Sequence, residues 1–295
     1  MFAALSLLLL GVVVASIVCC STAGESECRP DVAGSGPAGL PSTTLRVLTL
    51  NLAHGRGKAW HQSLVGRESI RENLDAVARL LERESPHVVA LQEADGPSFW
   101  SGNFDHIAYL AEQGAMVFQA RAKNVDGLGI SFGTALLSSA KLENALAVTF
   151  EPSLPTFSKG FVLATVAVED PTGRRREIDV VSVHLDFSRA SVRRAQVEEL
   201  IARISTRNRP VIVMGDFNSG WSEGSPLREL ADRLDLRTDS PEAPLVTFPS
   251  AGSRLDWILI SKKLRMLRHE VLTDPVSDHR AVLAEVTLGE NPDAG

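Results

Sequence analysis

Six strand-like runs in this chain begin or end on a carboxylate, an amide or an imidazole. LTLN closes on Asn51 and VALQE on Glu93, VSVHLD carries His184 and Asp186, and VIVMGDFN carries Asp216 and Asn218. SRLDWILI opens with Asp256, and SDHRAVLAEV opens with Asp278 and His279. Any one of these is weak evidence, because strands end in turns and turns favour Asp and Asn. Six together, if their strands lie side by side, would gather hydrolytic side chains at one rim. Carboxylates without cysteine suit a hard cation such as Mg2+ or Mn2+. An Asp can orient and deprotonate a water, and histidines can hydrogen-bond or protonate phosphate oxygens. A cation neutralising phosphoryl charge would complete a metal-assisted hydrolysis.

The elements that must hold these groups follow from hydrophobic periodicity. ESIRENLDAVARLLERE (68–84) sets Ile70, Leu74, Val77, Leu80 and Leu81 on one face and predicts a helix. Further helices are expected over 104–113, over 188–205 with Val197, Leu200, Ile201 and Ile204 inward, and over 225–234. Strands are expected at 45–51, 87–93, 115–120, 134–139, 145–150, 160–168, 176–185 and 211–215, with a final group from 254 to 288. AKNVDGL (122–128) reads as polar and turn-like. Strands outnumber helices and many are adjacent, so the pattern is α+β with substantial antiparallel pairing.

The chain has 295 residues, 44% hydrophobic and 22% charged, which allows one large core. Residues 1–23 carry no charge and read as a signal peptide or an uncleaved N-terminal anchor, with a lipidated Cys19 or Cys20 as a third reading. Either way, a secreted or envelope-associated protein is expected. Residues 24–44, rich in Pro, Gly and Ser, read as a flexible linker, 45–288 as the functional domain and 289–295 as a tail. All three cysteines lie at or before Cys28, so the domain has no cysteine metal site. The formal charge of −6 argues against a broad electrostatic grip on nucleic acid. The GRRRE cluster (173–177) is most simply a solvated hairpin turn. NLAHGRGKAWH (51–61) offers His54, Arg56, Lys58 and His61 either to a substrate phosphate or to solvent.

LTLN, LQE, GTALLSS, VHLD, GDFN, RLDWIL and SDH occur in the order seen in the endonuclease/exonuclease/phosphatase superfamily, and the chain resembles it over about 45–288. The resemblance implies a four-layer α/β/β/α sandwich of two mixed β-sheets flanked by helices. It also implies Glu93 as principal ligand of Mg2+ (or Mn2+), with Asn51 and Asp278 near the metal. Asp216 would hold the attacking water, and Asn218 would orient Asp216 or a phosphate oxygen. His279, oriented by Asp256, would contact the phosphate and move a proton, and His184 would stabilise phosphoryl charge. The implied substrate is a phosphodiester in nucleic acid, a phospholipid head group or a small molecule. Membrane attachment could come through the N-terminal segment, and a monomer is expected. Ala53 stands where abasic-site nucleases carry an acid, and Ser219-Gly220 stand where inositol phosphatases carry an Arg. SFWSGNF (98–104) is a faint candidate for an aromatic membrane contact.

Two readings from other classes compete. GISFG (129–133) matches the nucleophile elbow of serine hydrolases, which would make Ser131 the nucleophile, but the elbow requires a strand before the Ser and a helix after it. A non-catalytic binding module on the same scaffold is the other. Loss of hydrolysis on substituting Glu93 or His279 separates it from an enzyme.

Overall fold

Runs such as VVALQEAD and GFVLATVAVE are apolar at nearly every position, so they need cover on both faces. They obtain it in a sandwich of two sheets. The computed structural model describes residues 27–28, 31–34, 36, 39–40, 42–170 and 172–289. The leader expected at 1–23 lies outside them. Among the described residues no helix is long and apolar enough to cross a membrane.

Two short strands come first, β1 (Glu27–Cys28) and β2 (Asp31–Ala33). Then follow β3 (Thr44–Asn51), helix α1 (Arg67–Glu84), β4 (Val88–Asp95) and helix α2 (His106–Gln113). Five strands run in succession: β5 (Phe118–Gly127), β6 (Ile130–Ser138), β7 (Glu143–Thr149), β8 (Gly160–Glu169) and β9 (Arg175–His184). Helix α3 (Ala190–Ser205), β10 (Val211–Asp216), helix α4 (Pro226–Leu234) and β11 (Leu236–Arg237) come next. The chain closes with β12 (Asp256–Ser261), β13 (Leu264–Val271) and β14 (Val282–Leu288).

One sheet has the order β1-β7-β8-β9-β10-β12-β11 and the other β13-β14-β3-β4-β6-β5-β2. Each is mixed: β3 and β4 run parallel, as do β9 and β10, while the remaining pairs are antiparallel. The inner faces meet through Val47, Val88, Leu136, Val162, Met214 and Ile258. Helices α1 and α2 cover the outer face of the second sheet through Leu74, Leu81 and Leu110. Helices α3 and α4 cover the first through Leu200, Ile204 and Leu227. The four layers are therefore α/β/β/α.

Two features differ from the sequence reading. All of AKNVDGL but Leu128 belongs to β5, where Lys123 and Asp126 are exposed on the hairpin with β6. Within the stretch read as a linker, β1 and β2 add to sheet edges, and Leu40 is buried beside Val168. The GRRRE cluster forms the β8–β9 turn, where Asp170 accepts hydrogen bonds from Thr172, Arg174 and Arg176, at the end of the sandwich away from Asp216.

Gly215 shows how closely β9 and β10 approach. Its φ is +149°, and a Cβ there would stand 1.9 Å from the Val183 carbonyl oxygen. Gly215→Ala is expected to cost about 3 kcal/mol through backbone displacement, read as a lowered midpoint in urea unfolding.

Candidate active site

The rows of the sheet place the site. Asp216 ends β10, and in strand register it faces His184 at the end of β9 and Asp256 at the start of β12. Asn51 ends β3 in the opposite sheet, and its Nδ2 donates to Asp216 Oδ2 at 3.0 Å, a buried bond between the two sheets. Asn51 Oδ1 accepts from the Ala53 N–H at 2.9 Å, which fixes the amide's orientation. Asp216 Oδ1 accepts from the Asn218 N–H at 3.0 Å, while the Asn218 side chain donates to the Leu185 carbonyl. Asn218 thus orients Asp216 through its backbone. Ser277 Oγ donates to the Asn51 carbonyl and draws the SDH segment to the same rim. There His279 Nδ1 lies 2.8 Å from Asp256 Oδ2, and its Nε2 lies 3.9 Å from Asp216 Oδ2. His184 Nε2 is 3.5 Å from the same oxygen.

Glu93 faces this group from β4. The β4–β6 register slips between Leu91 and Ala94, and Glu93 sits in that bulge at φ +46°. Bulges re-aim side chains in this way. Ala53, His54 and Asn218 also have φ between +48° and +56°. Each such conformation costs about 1 kcal/mol or more in a non-glycine residue, and only surrounding packing holds it.

Around Glu93 stand Arg56, Lys159 and His54; burial lowers the His54 pKa, but Asp95 and Glu93 outweigh it and raise it. His54 Nε2 is 3.4 Å and Arg56 Nη1 3.7 Å from Oε2, and Lys159 Nζ is 3.8 Å from Oε1. Arg56 also hydrogen-bonds Asp278. His54 is set by Asp95, whose Oδ1 lies 2.7 Å from Nδ1 and whose Oδ2 accepts from Trp100 Nε1 and Ser101 Oγ. Its ring packs edge-on to Phe132 and Trp100.

The electrostatics divide the histidines. Burial works against charge on His279, but Asp256 and Asp216 outweigh it and push the imidazole up to about 10. Burial with the like charge of Asp256 raises Asp216 to about 7, against the pull of His279. In His184, burial and the nearby Lys159 hold the pKa well below the usual value, so the ring is neutral. Its Nδ1 faces Lys159 Nζ at 3.5 Å, a donor, so Nδ1 accepts and Nε2 carries the hydrogen. Burial also opposes charge on Glu93, yet His54, Lys159 and Arg56 hold its carboxyl far below the usual range.

The oxygen donors expected to hold a metal are unequal. Asp278 is engaged by Arg56, and the Asn51 amide spans Asp216 and Ala53. Glu93 is ionised, and its basic neighbours stand at ion-pair rather than hydrogen-bond distance, so a hard cation fits its oxygens best. Asp216, Asp256 and His279 also bring one donor atom each within 4.8 Å of one another. That trio is already internally paired and contains a protonated imidazole, so it suits proton transfer better than metal binding.

The structure therefore brings Asn51, Glu93, His184, Asp216, Asn218, Asp256, Asp278 and His279 to one end of the sandwich. Asp186, also at a strand end, turns away. Its oxygens accept from Ser153, Thr156 and Ser188 and from the N–H groups of Ser188 and Arg189. Ser131 lies within β6, in register with Asp126 of β5 and followed by more strand, so it cannot form a nucleophile elbow. Sequence reasoning missed Lys159 and Asp95. Lys159 directly precedes an apolar run as Asp256 does, but a lysine at that position reads as ordinary surface. Of the loop cations, His54 and Arg56 enter the site. Lys58 is exposed, and exposed His61 pairs with Ser63.

The model of the endonuclease/exonuclease/phosphatase family matches residues 48–279. No curated protein sequence matches the chain. Among solved structures, an endonuclease/exonuclease/phosphatase from Bacteroides vulgatus superimposes with a TM-score of 0.65 at 18% identity, covering 84% of this chain and 100% of that one. A mannosyl-6-phosphatase from Bacteroides thetaiotaomicron gives 0.60 at 17% identity over 83% and 100%. The human Nocturnin catalytic domain with bound sulfate gives 0.53 at 18% identity over 88% and 98%. At these identities the likeness is one of fold.

Asp186 provides a stability prediction. Burial opposes its ionisation, but the hydrogen bonds from Thr156, Ser188 and Arg189 win and pull its pKa down to about 2. A folded pKa below the unfolded value of about 4 stabilises the fold above pH 4, and the gain is lost as pH falls through 2. Asp186→Ala is expected to destabilise by about 2 kcal/mol or more at pH 7, and unfolding curves should show a smaller loss on acidification than the parent chain.

Proposed function

Because this chain belongs to the endonuclease/exonuclease/phosphatase family, whose members are phosphoesterase hydrolases, we propose that it is an exported, divalent-metal-dependent phosphodiesterase using water as the nucleophile. One observation carries the reading. Asp216 is buried, oriented from both sheets by Asn51 and Asn218, and flanked by a neutral His184 and a protonated His279 backed by Asp256. Groups of opposite proton demand beside one another are what acid–base hydrolysis needs.

Mg2+ or Mn2+ held at Glu93, with Asn51 and Asp278 near it, would supply charge neutralisation at the phosphoryl oxygens. The chain's own residues do the rest. Asp216 accepts the proton of the attacking water as its oxygen bonds to phosphorus. His184 donates through Nε2 to a phosphoryl oxygen. Lys159 and Arg56 add positive charge where the phosphoryl group gains negative charge. As the bond to the leaving oxygen breaks, His279 gives that oxygen a proton, and Asp256 holds the ring in place throughout. The uncharged run Phe2–Cys20 supports export or anchoring.

Hydrolysis of bis(4-nitrophenyl) phosphate and nicking of supercoiled plasmid test the reading. With Mg2+ or Mn2+, Asp216→Asn and His279→Ala are expected to lose at least about 100-fold in turnover with unchanged circular dichroism. EDTA should stop the parent chain, and either cation should restore it. Lys159→Met should lower kcat more than it raises KM. Retained turnover in Asp216→Asn or His279→Ala would sink the assigned roles, and full turnover in EDTA would remove the metal.

A further inference from the structure

The two imidazole–carboxylate pairs of the site are supported in different ways. Asp95, the partner of His54, is held directly by side-chain donors from Trp100 and Ser101. Asp256 meets His279 through Oδ2, but its buried Oδ1 finds no hydrogen-bond partner among the described residues. The position of the Asp256 carboxylate therefore follows from the position of its backbone.

That backbone is gripped by Thr247, in the connection between β11 and β12. Thr247 Oγ1 accepts from the Asp256 N–H at 3.0 Å and from the Leu255 N–H at 2.9 Å. A hydroxyl oxygen has two lone pairs, and both are engaged. The Thr247 carbonyl accepts from the Arg280 N–H at 2.7 Å, so the same residue also holds the chain next to His279. Thr247 is fully buried. Its loop is closed on itself: the N–H groups of Thr247 and Phe248 donate to the Ser253 carbonyl at 3.0 and 2.8 Å, and the Ser253 N–H donates back to the Phe248 carbonyl at 3.2 Å.

Phe248 completes the clamp. Its ring packs on the His279 imidazole with centroids 4.7 Å apart and planes 35° apart. Aromatic rings at such separations attract, so the contact restrains the imidazole from turning about its bond to Asp256. The ring is thus fixed at Nδ1 by Asp256 and on its face by Phe248, and Nε2 is left toward Asp216 at 3.9 Å.

We propose that Thr247 and Phe248 are the positioning residues of the proton donor to the leaving group. Thr247 sets the spacing of Asp256 and His279, and Phe248 sets the plane of the imidazole. Both act through His279 and not on the phosphate. The chemical consequence rests on the phosphodiesterase reading: the Nε2 proton passes to the leaving oxygen as its bond to phosphorus breaks and the electron pair stays on that oxygen. The clamp itself does not rest on that reading. Proton donation matters most where the leaving oxygen is strongly basic, so a misplaced imidazole penalises a phenolate leaving group more than a 4-nitrophenolate one.

Turnover of diphenyl phosphate and bis(4-nitrophenyl) phosphate is measured with Mg2+ on the full chain and on Thr247→Val, Thr247→Ser and Phe248→Leu. The Nδ1–H resonance of His279 is recorded in each by nitrogen-edited proton NMR. Thr247→Val removes the Oγ1 acceptor at nearly constant volume, and Thr247→Ser keeps it. Thr247→Val is expected to lose about 10-fold more kcat on diphenyl phosphate than on bis(4-nitrophenyl) phosphate, with KM unchanged, and Thr247→Ser to recover it. Phe248→Leu should open the same gap between the esters with the Thr247 bonds intact. Both of those variants should shift the Nδ1–H resonance, and Thr247→Ser should leave it in place. Equal losses on the two esters mark a merely structural role and overturn the proposal. An unmoved resonance in Thr247→Val and Phe248→Leu overturns it too. If Thr247→Val does not fold, Phe248→Leu decides by the same two readings. A parent chain that turns over neither ester overturns the phosphodiesterase reading, and the resonance then decides the clamp alone.

Discussion

The hydrogen bond from Asn51 to Asp216 crosses from one sheet to the other, and the rest of the site is arranged around it. It can form only if both sheets present their strand ends at the same level, which the inner apolar faces enforce by packing Val47 and Val88 on Val162 and Met214. Gln92, the register partner of Asn51, donates to Ser182 Oγ, and Ser182 Oγ donates to the Leu91 carbonyl, a second polar link between the sheets. Buried polar links cost desolvation unless satisfied, and here each finds its partner. They fix the alignment of two layers that apolar contact alone would leave free to slide.

From that alignment comes an electrostatic division. On one side of Asp216, Asp256 holds His279 protonated. On the other, Lys159 and burial keep His184 neutral. Glu93 stands among His54, Arg56 and Lys159, so its negative charge is compensated by the protein before any ligand arrives. The left-handed backbone at Ala53, His54, Glu93 and Asn218 concentrates strain where these groups converge, and the two sheets behind them absorb it.

Much of the architecture was legible from periodicity. The helices over 67–84, 190–205 and 226–234 fall within about two residues of their predicted bounds, because their apolar spacing admits no other element. The β5–β6 hairpin was harder, since an exposed flank gives a strand polar residues that mimic a turn. The site was legible where a polar residue interrupts an apolar run, as at Asn51, Glu93, His184 and Asp216. Lys159 escaped because a single lysine ahead of a strand looks like ordinary surface, and it is buried only because β8 runs antiparallel to β9 and starts at the site end.

The sequence by itself determined the element types, the two-sided burial of the strands and the set of hydrolytic side chains, because each of these depends on residues near one another in the chain. Tertiary structure alone decided which side chains meet. Asp186 and His184 are two residues apart in one run, yet one holds a loop and the other faces Asp216. Asn51 and Asp216 are 165 residues apart and share a hydrogen bond. Contact, burial and the shifted proton affinities that follow from them belong to the packing of the two sheets, and no local pattern encodes them.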